Sequence, residues 1–456
     1  MGRKTVLKNF RIIDEGVNIL GSVIAEDGII RDVIPGPGGY SEDSGDLLSD
    51  RRIVRHIQNA DMVIDGGEGT DKWGLTLLPA LVDLHAHFRD PGFPEKETLE
   101  SASLAAAAGG YGTVVCMANT HPVLDTREAV ISLRARADAL DLIDLFPAMA
   151  LSRGMEGKEL SGIVKLPVAG AGGVVRILSE DGKDLANSAL FTAALEEARR
   201  AGVVVSVHAE LGSIESQAAR KSGKARAVWS RMEEINGVRR AIELGKKTGC
   251  HIHIAHVSTL EAAEMIRAAK AERGGAAGGF VLSAEVTPHH LFLSEEDAAE
   301  LGSETHGLVN PPLRSALDRQ ALIAAVLDGT IDAIATDHAP HTRSDKEGGA
   351  AGFTGFETAF SICLTELVRE DRLSLPRLAS LMSGAPARIL GLADRGRIVP
   401  GCRADFFVVD ASANWTVDPA LFRSRGKNSP CTGRELRGRV LMTIRQGRPV
   451  FVSPGF

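Results

Sequence analysis

The chain has 456 residues, 52 of them basic and 59 acidic, for a formal charge of −7. Domains usually run to ~100–200 residues and α/β barrels exceed that, so one large domain with a smaller companion is the starting expectation. A 44% hydrophobic and 24% charged composition is that of a globular protein and excludes global disorder. The mildly acidic balance argues against nucleic acid or an anionic membrane as partner, but not against a small anionic substrate held by one well-placed arginine.

Five cysteines (Cys116, Cys250, Cys363, Cys402 and Cys431) are scattered, odd in number and free of CxxC spacing. That argues against a disulfide framework or a thiolate metal site and for a reducing compartment. The N-terminus, MGRKTVLKNFRIIDEG, has no apolar run like that of a signal peptide. No stretch reaches the ~18–20 apolar residues that a membrane helix needs. A cytoplasmic location is the expectation.

Residues 1–75 read as all-β and loop-rich, with β-branched runs at Val6–Asp14 and Ser22–Ile34 and a polar, Gly-rich surface loop at Gly36–Asp50. From residue 76 the pattern changes. Apolar β-branched runs occur at Leu81–His87, Gly112–Met117, Ile143–Ala150, Gly173–Leu178, Gly202–His208, His251–His256, Phe280–Val286 and Ile331–Asp337. Helical periodicity marks segments between them: Lys96–Ala108, Thr126–Leu140, Ser188–Arg200, Glu233–Lys247, Leu260–Ala271 and Ala316–Leu327. Eight such strands alternating with helical segments predict an α/β fold of the (β/α)8 TIM-barrel class over residues 76–394. A doubly wound sheet would want a Gly-rich phosphate turn, and neither GxGxxG nor GxxxxGKS occurs. Residues 395–456 return to short β runs such as Ala404–Asp410. Neither end is large enough for its own core, so the two ends are expected to pack together as a small β-sandwich domain.

The polar residues at the strand ends carry the chemistry. The first run ends in His85-Ala86-His87, and a spacing of two puts both imidazoles on one face of a strand. The fourth ends in Glu180-Asp181-Gly182, the fifth in His208, the sixth in His256 and the eighth in Asp337. All fall at the C-terminal rim, where barrel enzymes place catalytic groups. Imidazole and carboxylate donors without thiolate suit Zn2+, and four His with two Asp exceed one tetrahedral shell, so two ions sharing a bridging carboxylate is the natural count. Such a pair polarises a carbonyl and brings the pKa of a bound water near 7. His251 and His253 are an odd number of residues from His256 and are expected on the opposite face. His289 and His290 are each a candidate for the pocket lining, with a structural hydrogen bond the expected role. His56, His121 and His306 are expected to lie in loops without a chemical role. Of the two histidines after Asp337, only His341 is a candidate substrate contact.

The segments VDLHAHFRDPG (Val82–Gly92), SVHAE (Ser206–Glu210), HIAHVST (His253–Thr259), AEVTPHHLFL (Ala284–Leu293), NPPLR (Asn310–Arg314), DGTIDAIATDHAPH (Asp328–His341) and GFETAF (Gly355–Phe360) resemble the dihydroorotases of the amidohydrolase superfamily. The resemblance spans nearly the whole chain and implies reversible, zinc-dependent closure of N-carbamoyl-L-aspartate to L-dihydroorotate. It places His85, His87 and Asp337 on one zinc and His208 and His256 on the other, with Asp181 bridging in place of a carboxylated lysine. It makes Asp337 the general base and then the general acid. The implied substrate contacts are His87, Arg89, Asn119, Asn310 and His341, with Gly352 near a loop over the ring. It also implies a homodimer and an association with aspartate transcarbamoylase. Two positions depart from the family pattern: Glu180 stands where the family has Asp, and Ala118 where it has Pro. The insert Ser41–Asp50 also lies outside the pattern. The rival readings are a cyclic amidase acting on hydantoin or allantoin, and an inactive barrel scaffolding the transcarbamoylase. The first would use a lysine at the fourth strand and lack Arg89; the second would have lost ligands.

Overall fold

The computed structural model describes residues 3–36, 53–67, 75–166, 173–211, 226–272, 279–299, 301, 307–368, 370 and 372–456. The insert Ser41–Asp50 and His306 lie outside them. The N-terminal stretch contributes β1 (Lys4–Ile13), β2 (Asn18–Glu26), β3 (Ile29–Pro35), β4 (Met62–Asp65) and β5 (Leu75–Pro79). Next come β6 (Leu81–Ala86), β7 (Tyr111–Cys116), β8 (Asp144–Pro147), β9 (Ile177–Ser179), β10 (Val204–Val207), β11 (His251–Ile254), β12 (Val281–Val286) and β13 (Ala333–Ile334). The chain closes with β14 (Phe406–Thr416), β15 (Glu435–Arg445) and β16 (Arg448–Val452).

The two chain ends share one eight-stranded sheet, ordered β16-β15-β14-β5-β1-β2-β3 with β4 on β1. The junction is the antiparallel pair β5–β14, in which Leu78 faces Phe407 and Leu77 faces Val408. Strand alternation explains why FFVV suits this place. Phe406 and Val408 enter the sheet's own core with Leu7, Phe10, Ile12 and Leu77, whereas Phe407 and Val409 enter the core shared with the barrel. The N-terminal part is not all-β: a helix at 53–58 sets Ile53 and Ile57 against Val6, Ile24 and Ile34. It covers an apolar sheet face that would otherwise meet water.

All eight expected barrel strands are present, each parallel to its neighbours in β6-β7-β8 and β9-β10-β11-β12-β13. Parallel bridges Met149–Leu178 and Ala86–His338 close the two arcs into a ring. The surrounding helices begin where side chains cap free N–H groups: Thr98, Thr126, Asn187, Thr259 and Ser315 each accept from the first turn. The lumen is packed by Val82, Leu84, Val115, Met117, Phe146, Ile177 and Val204, with Ala387, Leu390 and Leu392 plugging its lower end. No helix among the described residues is long and apolar enough to cross a membrane.

Candidate metal centre and substrate pocket

The six histidine and aspartate side chains at the strand ends meet at one rim. Nε2 of His85 lies 3.1 Å from Oδ1 of Asp181, and Nε2 of His87 lies 3.1 Å from Oδ1 of Asp337. His87 Nε2 is also 3.5 Å from the second Asp181 oxygen, and His208 Nδ1 is 3.5 Å from the first. His208 Nδ1 and His256 Nε2 approach to 2.9 Å. All six side chains are buried. Two donor triads are compact enough for one cation each: His85, His87 and Asp337, and His85, Asp181 and His256. Neither ring nitrogen of His85 has an aligned hydrogen bond. Converging buried nitrogen and carboxylate donors, two of them imidazole nitrogens facing each other, fit a divalent cation and have no other evident use.

The backbone makes this convergence possible at some cost. Arg89, His256 and Asp337 have φ of 57°, 31° and 46°, a region that side chains other than glycine rarely occupy. The turn at His256 also reverses the expectation for its neighbours. Strand pairing ends at Ile254, so alternation does not extend to His256. His251 and His253 therefore face the lumen: His251 Nε2 and His253 Nδ1 each lie 2.9 Å from Ser283 Oγ. His253 is fully buried under the rim that carries the six donors, with its Nε2 3.0 Å from Glu285.

Electrostatics tie the cluster together. Burial would raise the Asp181 carboxyl, but His85, His208 and His256 hold it well below the usual carboxylate range. Burial likewise opposes ionisation of Asp337, and hydrogen bonding to His87 with the charges of His85, His87 and His256 outweighs it. For His208, burial favours the neutral ring, while Asp181 and Glu210 lift its pKa to about 10. Protons and a divalent cation compete for these lone pairs, so loading is favoured as pH rises.

Above the ligands lies a cavity of about 160 Å³. Its lining includes His87, Arg89, Asn119, Asn310, His341 and Gly352, together with Asp181, His208, His256 and Asp337. Arg89 pairs with neither Asp90 nor another carboxylate among the described residues. Its Nε donates to the Pro340 carbonyl at 3.2 Å, and its Nη2 lies 3.2 Å from His341 Nε2; Asp90 is taken by Arg136. Asn119 has a second connection: its amide donates to Asp181 Oδ2 at 2.9 Å, and its carbonyl oxygen lies 3.1 Å from His87 Nδ1. Gly352 has φ 141°, and a Cβ there would come within 2.7 Å of Ala339 Cβ and 3.2 Å of His341 Nε2. His290 makes structural bonds to Thr287 and the Pro311 carbonyl, whereas the buried Nε2 of His289, expected to bond likewise, has no hydrogen-bond partner among the described residues. Glu180 points away from the ligands and accepts from the backbone N–H groups of Leu151 and Ser152, so its extra methylene spans to the neighbouring loop.

Three groups escape the motif reading. Glu285 bridges His253 and His85 from below. Glu210 lies 2.9 Å from His208 Nε2. Asn428, from the C-terminal stretch, donates to the Ala339 and Gly352 carbonyls and accepts from His341 N–H. Glu285 and Glu210 sit inside the recognisable segments and carry a sequence signal. Asn428 carries none.

The amidohydrolase family model matches residues 76–450. A dihydroorotase of Anaeromyxobacter dehalogenans is 42% identical over 393 residues, covering 84% of this chain and 87% of its own. One from Caldanaerobacter subterraneus subsp. tengcongensis is 37% identical over 441 residues, covering 93% and 96%. The solved L-hydantoinase (dihydropyrimidinase) of Arthrobacter aurescens superposes with a TM-score of 0.80 at 25% identity, covering 98% of this chain and 96% of that one. The chain belongs to the amidohydrolase family, within its dihydroorotases, and is a hydrolase of cyclic amides.

Proposed function

We propose that this enzyme interconverts N-carbamoyl-L-aspartate and L-dihydroorotate plus water, with two Zn2+ held by His85, His87, Asp181, His208, His256 and Asp337. The observation that carries the reading is the cavity in which Arg89, Asn119, Asn310, His341 and Gly352 face those ligands. When bound, the cations supply Lewis acidity and a water of lowered pKa. The remaining work belongs to the side chains. Arg89 offers a planar fork to the substrate carboxylate, and Asn119 and His341 complete its seat. Asn310 also lines the cavity, and its amide donates to Glu210 Oε2 at 3.3 Å. In the hydrolytic direction water adds to the ring amide carbon and the C–N bond breaks. Asp337 takes the water's proton and delivers it to the departing ring nitrogen. Ring closure runs the same steps backwards.

The hydantoinase likeness of the fold supports a second reading, a hydantoin substrate. Comparing turnover of dihydroorotate and hydantoin by the zinc-loaded enzyme separates the two: preference for hydantoin overturns the first. The five cysteines, all free and buried, support a cytoplasmic setting. The homodimer and the association with aspartate transcarbamoylase rest on family resemblance alone. Sedimentation with and without purified transcarbamoylase tests both.

A further inference from the structure

A second cavity, of about 300 Å³, opens at the end of the barrel away from the metal ligands. Its walls are the starts of β9, β10 and β11, at Arg176, Val203 and Gly249, and the lumen plug at Arg388–Gly391. The volume is at the lower end of small-molecule sites, ~300–1,000 Å³. Among the described residues the charged lining is entirely basic: Arg176, Arg199 and Arg388 face the space, and no carboxylate does.

The three arginines differ in what they already hold. Arg388 is bound to both oxygens of Glu15, which neutralises it. Arg199 gives Nη1 to the Thr248 carbonyl at 2.8 Å, and neither it nor Arg176 has a carboxylate partner among the described residues. The Nε of Arg176 is buried without an acceptor. Burial and the nearby charges of Arg134 and Arg395 all disfavour its cation, against the opposing charge of Asp394. A buried N–H without an acceptor is costly unless an anion meets it, and the guanidinium fork matches the oxygens of a phosphate.

We propose that this lower cavity binds a small phosphate-bearing anion between Arg176 and Arg199. The strands that start at this cavity lead, at their far ends, to Asp181, His208 and His256. The site thus sits at the base of the elements that carry half of the metal ligands.

The test is a calorimetric titration of zinc-loaded enzyme with inorganic phosphate, at chloride-matched ionic strength and with the active site saturated by substrate. Wild type should show one saturable site per chain. Arg176→Gln and, separately, Arg199→Gln should each weaken it tenfold or more while leaving phosphate-free kcat/KM unchanged. The more exposed Arg199 serves as the second variant should Arg176→Gln fold poorly. No saturable binding in wild type, or binding unaltered in Arg199→Gln, overturns the proposal. Phosphate binding that disappears when substrate is present also overturns it, because it then belongs to the metal-binding mouth.

Discussion

Glu285 stands beneath His85, with Oε1 3.4 Å from the imidazole Nδ1, while its Oε2 lies 3.0 Å from Nε2 of His253. Burial works against its charge, yet the two histidines hold its pKa down at about 2. A carboxylate charge facing Nδ1 at this distance favours a proton on that nitrogen, which leaves Nε2 free for a cation and raises its basicity. Glu285→Gln keeps the shape and removes the charge. Divalent-metal affinity, measured by chelator competition, should fall roughly 10- to 100-fold. Unchanged affinity would confine Glu285 to packing the lumen.

In the proposed mechanism Asp337 combines two roles that a single substitution can separate. Asp337→Asn retains an oxygen donor but cannot accept a proton as a carboxylate does. Turnover should drop by about 10²–10⁴-fold, the usual worth of general acid–base catalysis. Far-UV circular dichroism should be unchanged, and metal analysis should still find ions on the remaining ligands. Near-wild-type kcat would remove the proton-transfer role.

Arg89 holds Pro340 and His341 at the pocket wall with one side of its guanidinium. Arg89→Lys preserves charge and loses the fork. KM for dihydroorotate should rise roughly 10- to 100-fold, one well-oriented charged hydrogen bond being worth about 1.5–3 kcal/mol, with a smaller effect on kcat. The opposite split, a lowered kcat at constant KM, would place Arg89 on the reaction rather than on the carboxylate.

Glu357, on the helix Phe356–Cys363, accepts the backbone N–H groups of Arg423 and Ser424. Burial raises its pKa to about 7, against the lowering effects of those N–H groups and of Lys427 and Arg423. The folded chain therefore binds this proton more tightly than the unfolded chain. Its stabilising contribution is full below about 4.5 and is lost as pH rises through about 7. The urea midpoint of wild type should fall between pH 5 and pH 8 more steeply than that of Glu357→Gln. Equal slopes would show that the proton is not coupled to folding.

Local pattern alone encodes the barrel. Eight β-branched runs alternate with helical periodicity, and period-two spacing puts His85 and His87 on one face. The same motifs place all six metal-ligand candidates at strand ends, because a barrel rim collects strand ends whatever the loops do. Alternation misled only where the strand stopped. His256 turns at φ 31°, so His253 lies in the lumen, and no spacing argument carries through a left-handed residue.

What tertiary structure alone decided is distance across the chain. Asn428 reaches the carbonyls of Ala339 and Gly352. Glu97 accepts from the backbone of Arg425, and Thr336 donates to Asp83 across the closing seam. The basic lower cavity likewise joins Arg176, Arg199 and Arg388, which share no motif. Such partnerships depend on how closed strands and packed ends bring remote backbone together. Residue order encodes the periodicity of each element, but not which distant polar groups burial will force to pair.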